Sequence, residues 1–431
     1  MNDADSLSAA TTSKTNRESS DVGAIAEWMR SIESREAKSL SRGGVFCIEL
    51  RDRSEAGGSL NNERLRAIWS KVHQHFGGAV GLGFLGSERA FAVTLDESQW
   101  ASLAACVVQA AVAAGIPAHD IGVGVGFARQ EMRGQPTADV LRLATTAASY
   151  ASDTGIGFSR RSLADEQRQH RKAAIQTGLE KALEGEEGLR LIFQPKVDAV
   201  SGKITGAEAL LRFECDEIGP VSTMELLDVA EACGELERLD RWALGLAVES
   251  LASFQEDGVD AIPVSVNVRA ETAFHPGFTE FLAGTLATFG VKPSLLEIEI
   301  REDQAMQQLG KAEEVTRRLS DLGVATALDG FGRNRTTLAD LRRLRVSTLK
   351  LDRGIVREMM SNPQVAQLAH GMMHLSRVLQ MQTVAVGIET EEQRSYMRDA
   401  GCSSLQGFLF FSPMEGPDLL AQVRSGSAVA A

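Results

Sequence analysis

Two kinds of apolar spacing divide the chain. From Leu189 onward, short apolar runs recur between amphipathic stretches: RLIFQPKV, ITGAEALLRF, AIPVSVNV, LLEIEI, VATALD, STLKLD, TVAVGIE and SLQGFLF. Strands alternating with helices over about 230 residues predict an α/β unit with a parallel sheet, most economically a (β/α)8 barrel. An open doubly wound sheet has the same periodicity and stays open at this point. Before residue 159 the order is different. GGVFCIEL reads as a strand, AVGLGF and AFAVTL as a hairpin around LGSER, and IGVGVGFA as a further strand. Helices are predicted near Ile25, Trp28 and Ile32, over Leu65 to Val72, and from about Ser98 to Ala114 and Thr137 to Ser152. This is an α+β domain.

The punctuation sets expected boundaries. Residues 1–22 are rich in Ser, Thr, Asn and Asp and predict a disordered tail. An α+β domain follows over 23–162, a charged helical linker over 163–188, the barrel over 189–420 and a tail over 421–431. No stretch has the length or apolarity of a membrane span, and the polar N-terminus lacks a signal-peptide layout.

Composition narrows the chemistry. The 431 residues carry 45 Lys and Arg against 58 Asp and Glu, a formal charge of −13, which argues against broad attraction to nucleic acid or an anionic membrane. Cys47, Cys106, Cys215, Cys233 and Cys402 are odd in number and widely spaced, as expected of reduced thiols in a cytoplasm.

Strand parity then selects candidates, because alternate side chains of a barrel strand face inward and active groups gather at the carboxyl ends. Ser265 and Asn267 oppose Val264, Val266 and Val268; Glu297 and Glu299 oppose Leu296, Ile298 and Ile300. Ala325, Ala327 and Asp329 align, as do Thr348, Lys350 and Asp352. In the penultimate strand Ala385 and Gly387 align with Glu389, which turns Val386 toward the helices. Glu208, Asn267, Glu299, Asp329, Lys350, Glu389 and Gln406 are thereby expected at one mouth. Oxygen donors without histidine suggest Mg2+ or Mn2+, and a phosphate ester is the natural ligand, with Arg212 and Lys350 available to its oxygens. Gln194 and Arg212 each have a structural alternative, as a strand end and as a partner of a neighbouring carboxylate.

These residues carry a resemblance. FQPKVDAVSGKITGAEALLRF, SVNV, LEIEIRED, ALDGFG, LKLD, GIET and LQGFLFFSP follow the order and spacing of EAL-domain cyclic di-GMP phosphodiesterases, over residues 171–414. The resemblance implies a TIM-like barrel. It implies that Glu208, Asn267, Glu299 and Asp329 are metal ligands, and that Lys350, Glu389 and Gln406 position or activate the attacking water. It further implies that Gln194, Arg212 and Asp352 serve the dinucleotide, and that Glu302 steadies the loop after Asp329. The chain departs from the pattern at Gly330, where a second aspartate is expected, and at Arg269, Arg301, Arg333, Asn334 and Val386. One ligand of a second metal is therefore missing.

The first domain resembles the GGDEF diguanylate cyclase fold, but Gly86, Ser87, Glu88, Arg89, Ala90 and Phe91 replace its signature, and ELRDRSEAGGSL lacks its nucleotide-binding residues. Cyclase activity is not expected. The sequence thus predicts a cyclic di-GMP receptor with impaired hydrolysis that signals to an unnamed protein partner, with a weak phosphodiesterase and a nucleotide-independent adaptor as alternatives. A homodimer is expected by resemblance alone.

Overall fold

The computed structural model describes residues 44–50, 67–68, 70–72, 74–75, 80–85, 89–94, 100–117, 121–127, 137–154, 159–185, 187–256, 262–333 and 336–426. The expected tail, the first helix, the turn at Gly86, Ser87 and Glu88, the segment after Leu50, and Trp69 and Asn334 lie outside the described residues. The chain divides into two compact units, Met1–Arg171 and Lys172–Ala431.

In the first unit, five strands pair in the order β2-β3-β1-β4-β5. They are β1 (Gly44–Leu50), β2 (Val80–Leu85), β3 (Arg89–Thr94), β4 (Ile121–Phe127) and β5 (Ser159–Ser162). β2 and β3 form the predicted hairpin, β1 lies antiparallel between β3 and β4, and β5 adds parallel to β4. Helices Trp100–Ala113 and Thr137–Thr154 bury Val107, Ala111, Leu143, Ala147 and Ala151.

The second unit is a closed barrel of eight strands: β6 (Leu189–Asp198), β7 (Ile204–Cys215), β9 (Val264–Asn267), β10 (Leu296–Arg301), β11 (Ala325–Phe331), β12 (Thr348–Leu351), β13 (Gln382–Val386) and β14 (Ser404–Gln406). A short strand β8 (Gly219–Val221) hangs on β7. An open sheet is excluded because β6 pairs with both β7 and β14. The sheet is not wholly parallel, however. β6 runs antiparallel to both neighbours, since the turn between Asp198 and Ile204 is too short for the crossover that a parallel pair requires.

Burial follows the alternation. Leu296, Ile298 and Ile300 of β10 pack outward, and Leu349 and Leu351 of β12 do the same, into a core shared with helices such as Leu236–Glu256 and Phe278–Phe289. Helix Leu163–Leu183 extends across the division at Arg171, and its Ala174, Ile175, Leu179 and Ala182 join Phe213, Val221 and Leu226 in a second cluster. The segment read as a linker therefore contributes core to the second unit. At the other end, helix Gly416–Ser425 continues past the expected boundary at 420 and buries Leu419 and Leu420.

Phe278 is the largest fully buried apolar side chain among the described residues. Truncating it removes transfer energy and leaves a cavity, so Phe278→Ala should lower stability to urea by about 3–5 kcal/mol. A loss below about 1 kcal/mol would contradict this packing.

Candidate functional site

Four charged side chains meet inside the barrel because their strands bring the same parity inward. Lys350 on β12 is 2% exposed and reaches three carboxylates. Its ammonium donates to Glu299 of β10, lies 3.1 Å from Glu208 of β7 and 3.7 Å from Asp329 of β11. One layer deeper, Lys196 of β6 contacts Glu297 and Glu299, both at 3.1 Å, and Thr348 donates to Glu297 at 2.6 Å. Glu299 thus sits between two buried cations.

The electrostatics follow. Burial would by itself raise the Glu299 carboxyl, but Lys350 and Lys196 outweigh it and hold the group down to about 2. Burial would likewise lower both lysines, yet the surrounding carboxylates raise each above its ordinary value. An isolated charge at this depth would cost several kcal/mol, so each member requires the others.

The upper rim adds neutral groups. Asn267 Nδ2 donates to Glu208 at 2.6 Å, and Gln406 Nε2 donates to Glu208 at 2.9 Å and to Gln194 at 3.3 Å. Gln194 itself donates to the Phe411 carbonyl at 3.2 Å. Arg212 holds the Leu211 carbonyl at 2.8 Å, and its guanidinium is lowered chiefly by burial. Glu302 is buried and accepts from Gly332 N at 3.3 Å and Thr336 Oγ1 at 2.5 Å, tying down the segment after β11. Asp352 caps helix Arg353–Glu358 by accepting from Gly354 N at 2.7 Å.

Gly330 explains how β11 changes register. The strand bulges between Leu328 and Phe331, and Gly330 takes φ 73°, a conformation that costs other residues about 1–2 kcal/mol. Asp329 then faces the mouth while Phe331 packs in the core. A Cβ at 330 would meet nothing within 4 Å.

Parity fails in one strand. Val386 pairs with Gln406, and Val384 with the inward-facing Lys350, whereas Ala385 pairs with outward Leu405 and Leu351. Val386 therefore faces the mouth, and Ala385 the helices. The expectation was reversed because β13 ends at Val386 and Gly387, with φ 78°, breaks the alternation counted back from Glu389. Glu389 is exposed beyond the strand, and its backbone N–H donates to Gln393 at 2.8 Å. It is not drawn into the carboxylate cluster around Lys350.

Strand parity put Glu297 and Thr348 on the inward face without giving them a role, and it missed Lys196, which shares the parity of Gln194 in β6. It also missed a cavity of about 600 Å³ beside Asp329, whose wall includes Gly330, Val386, Arg301, Arg333 and Asp352. Arg269 is engaged elsewhere, donating to Asp240 at 2.8 Å and to the Leu236 carbonyl at 3.1 Å.

Residues 176–413 match the EAL domain. The chain belongs to the EAL-domain family. It is 32% identical over 305 residues to a cyclic di-GMP phosphodiesterase of Pseudomonas aeruginosa, covering 70% of this chain and 51% of that protein. Over 309 residues it is 32% identical to the bifunctional diguanylate cyclase/cyclic di-GMP phosphodiesterase MucR of the same organism, covering 70% and 44%. The chain thus spans about half the length of these relatives. Its EAL barrel also superimposes on a solved MucR phosphodiesterase in complex with cyclic di-GMP, with TM-score 0.54 and 32% identity, over 59% of this chain and 99% of that one. The FimX EAL domain of P. aeruginosa, 24% identical with TM-score 0.51, shares the fold over 56% of this chain and 96% of that one.

EAL phosphodiesterases use divalent metal ions, and the donor set here suits one. Glu208, Glu299 and Asp329 offer hard oxygens around one point, and the buried Oε1 of Gln406 has no hydrogen-bond partner beside them. That point holds the Lys350 ammonium, and no grouping of three or more His, Cys, Asp or Glu with metal-holding geometry occurs among the described residues. No helix of the described residues is long and apolar enough to cross a membrane.

Lys350→Met would remove the cation nearest Glu299. Without divalent ions, stability should fall by about 3–5 kcal/mol near neutral pH. Glu299's depressed value stabilises the fold fully above its ordinary 4.5 and is lost as pH falls toward 2. The gap between wild type and variant should therefore narrow in urea titrations below about pH 4.5; a gap independent of pH would contradict this electrostatic role.

Proposed function

We propose that the chain is a cyclic di-GMP receptor with impaired hydrolysis that relays occupancy to a protein partner. The observation that carries this reading is the asymmetry of the mouth. On one side, Glu208, Glu299 and Asp329 converge with Asn267 nearby; on the other, Gly330 has no side chain and Val386 is apolar.

In this reading Glu208, Asn267, Glu299 and Asp329 hold a single Mg2+ or Mn2+, which when bound supplies Lewis-acid polarisation of a phosphoryl oxygen. Arg212 meets the dinucleotide by charge-assisted hydrogen bonds, with Gln194 and Asp352 at its edges. Lys350 balances the carboxylates when they are unligated and becomes a donor toward phosphate oxygens when they are not. Gln406 orients Glu208. Glu302 keeps the segment after β11 in place, and Glu389 would reach the ligand after movement beyond β13.

Hydrolysis needs an in-line water held by a second set of acidic groups, which Gly330 and Val386 do not provide. A weak phosphodiesterase yielding the linear dinucleotide is the second reading, favoured by the intact Lys350 cluster. The first unit is proposed as a regulatory GGDEF-like domain without cyclase activity, and the chain as cytoplasmic and able to form a homodimer. The activity of the Pseudomonas relatives and the MucR complex support cyclic di-GMP as ligand.

Calorimetric titration with cyclic di-GMP in Ca2+ should give micromolar or tighter binding, and chromatography after long incubation with Mn2+ should show little linear product. Binding no tighter than millimolar would defeat the receptor reading, and turnover at the rate of an ordinary enzyme would defeat the impairment. Gly330→Asp should raise turnover by about tenfold or more, equivalent to about 1.4 kcal/mol of transition-state stabilisation. The space around its Cβ permits the change, with the left-handed backbone costing about 1–2 kcal/mol of stability. Unchanged turnover in the folded variant would shift the defect to Val386.

A further inference from the structure

The cavity beside Asp329 combines an unusual set of charges. Arg301, Arg333 and Arg353 line it together with Asp303, Asp329 and Asp352. Three positive and three negative groups leave no excess negative charge to attract a second divalent cation. Two of the acids are also committed. Asp303 grips Arg301 through Nε and Nη2 at 3.0 and 2.9 Å, while Asp352 caps a helix and lies 3.6 Å from Arg333. Gly330 and Val386, also in the wall, contribute no oxygen.

Arg301 and Arg333 keep exposed donors beyond these ion pairs. Arg301 and Arg333 have side chains 63% and 70% exposed. The bidentate grip of Asp303 orients Arg301 at the end of β10 and leaves its Nη1 edge uncommitted. Arg301 is also in register with Asp329, so it stands beside the carboxylate cluster on the adjacent strand. Planar guanidinium donors match the non-bridging oxygens of a phosphate diester, and the cavity has the size of a small-ligand site.

We propose that Arg301 and Arg333 form an anion subsite that holds a phosphodiester of the ligand, supplying the neutralising charge that a second metal ion would otherwise bring. This rests on the receptor reading and specifies how that site works. A guanidinium neutralises phosphate but cannot present an ionised water as a metal can, so the subsite supports binding without supporting turnover. Binding should consequently need both arginines and no second divalent cation.

The test titrates the full chain with cyclic di-GMP in Ca2+ and in excess EDTA, beside an Arg301→Ser/Arg333→Ala double variant. The double variant should bind at least about tenfold more weakly than wild type in Ca2+, and in EDTA wherever wild type still binds. A smaller loss for the variant overturns the subsite. Arg333→Ala alone removes an exposed side chain with one long ion pair, and it guards against a folding failure of the double variant. It should weaken binding in Ca2+ by at least about threefold, and wild-type affinity in its place also overturns the proposal. Wild type that binds in neither buffer overturns the receptor reading together with the subsite, whereas wild-type binding with indifferent variants overturns the subsite alone.

Discussion

The buried Lys350 ammonium is the constraint on which the site depends. Three strands each send a carboxylate toward it, from Glu208, Glu299 and Asp329, and the fully buried Glu299 could not be ionised at such depth without a cation. Lys196 repeats the arrangement one layer down with Glu297 and Glu299. The barrel interior is therefore a charged stack, closed outside by Leu, Ile and Val that face the helices. Fold and site share one set of strand registers.

That sharing explains what could be read from the residue order. In β9, β10 and β12, and in β11 as far as Asp329, the alternation is regular, so Asn267, Glu299, Asp329 and Lys350 are assigned to one face by parity, and the contacts place them there. In β13 a glycine with positive φ interrupts the alternation, and the same rule turns Val386 the wrong way. The antiparallel β6 was not legible as such, because its run RLIFQPKV has the apolar content of any barrel strand; the short turn to β7 held the clue. Lys196 escaped notice because a lysine in a strand usually reads as solvated.

The departures from the EAL pattern form a group in space, which their sequence positions conceal. Arg301, Gly330, Arg333 and Val386 come from three strand ends and one following segment, yet they line one cavity. Arg269 differs from them, since it is spent on Asp240, which Thr272 also holds at 2.6 Å. The first change of pattern thus belongs to packing, and the others belong to the mouth. In the proposed reading, a barrel that keeps its inner charged stack but carries glycine and valine in place of two acids, with arginines beside them, holds a phosphodiester without breaking it.

The most direct measurement is the number of Mn2+ ions bound per chain at saturating cyclic di-GMP, counted by electron paramagnetic resonance or by anomalous scattering from a crystal of the complex. The account predicts one ion, at Glu208, Asn267, Glu299 and Asp329. A second ion beside Asp329, in the cavity with Arg301 and Arg333, would contradict it.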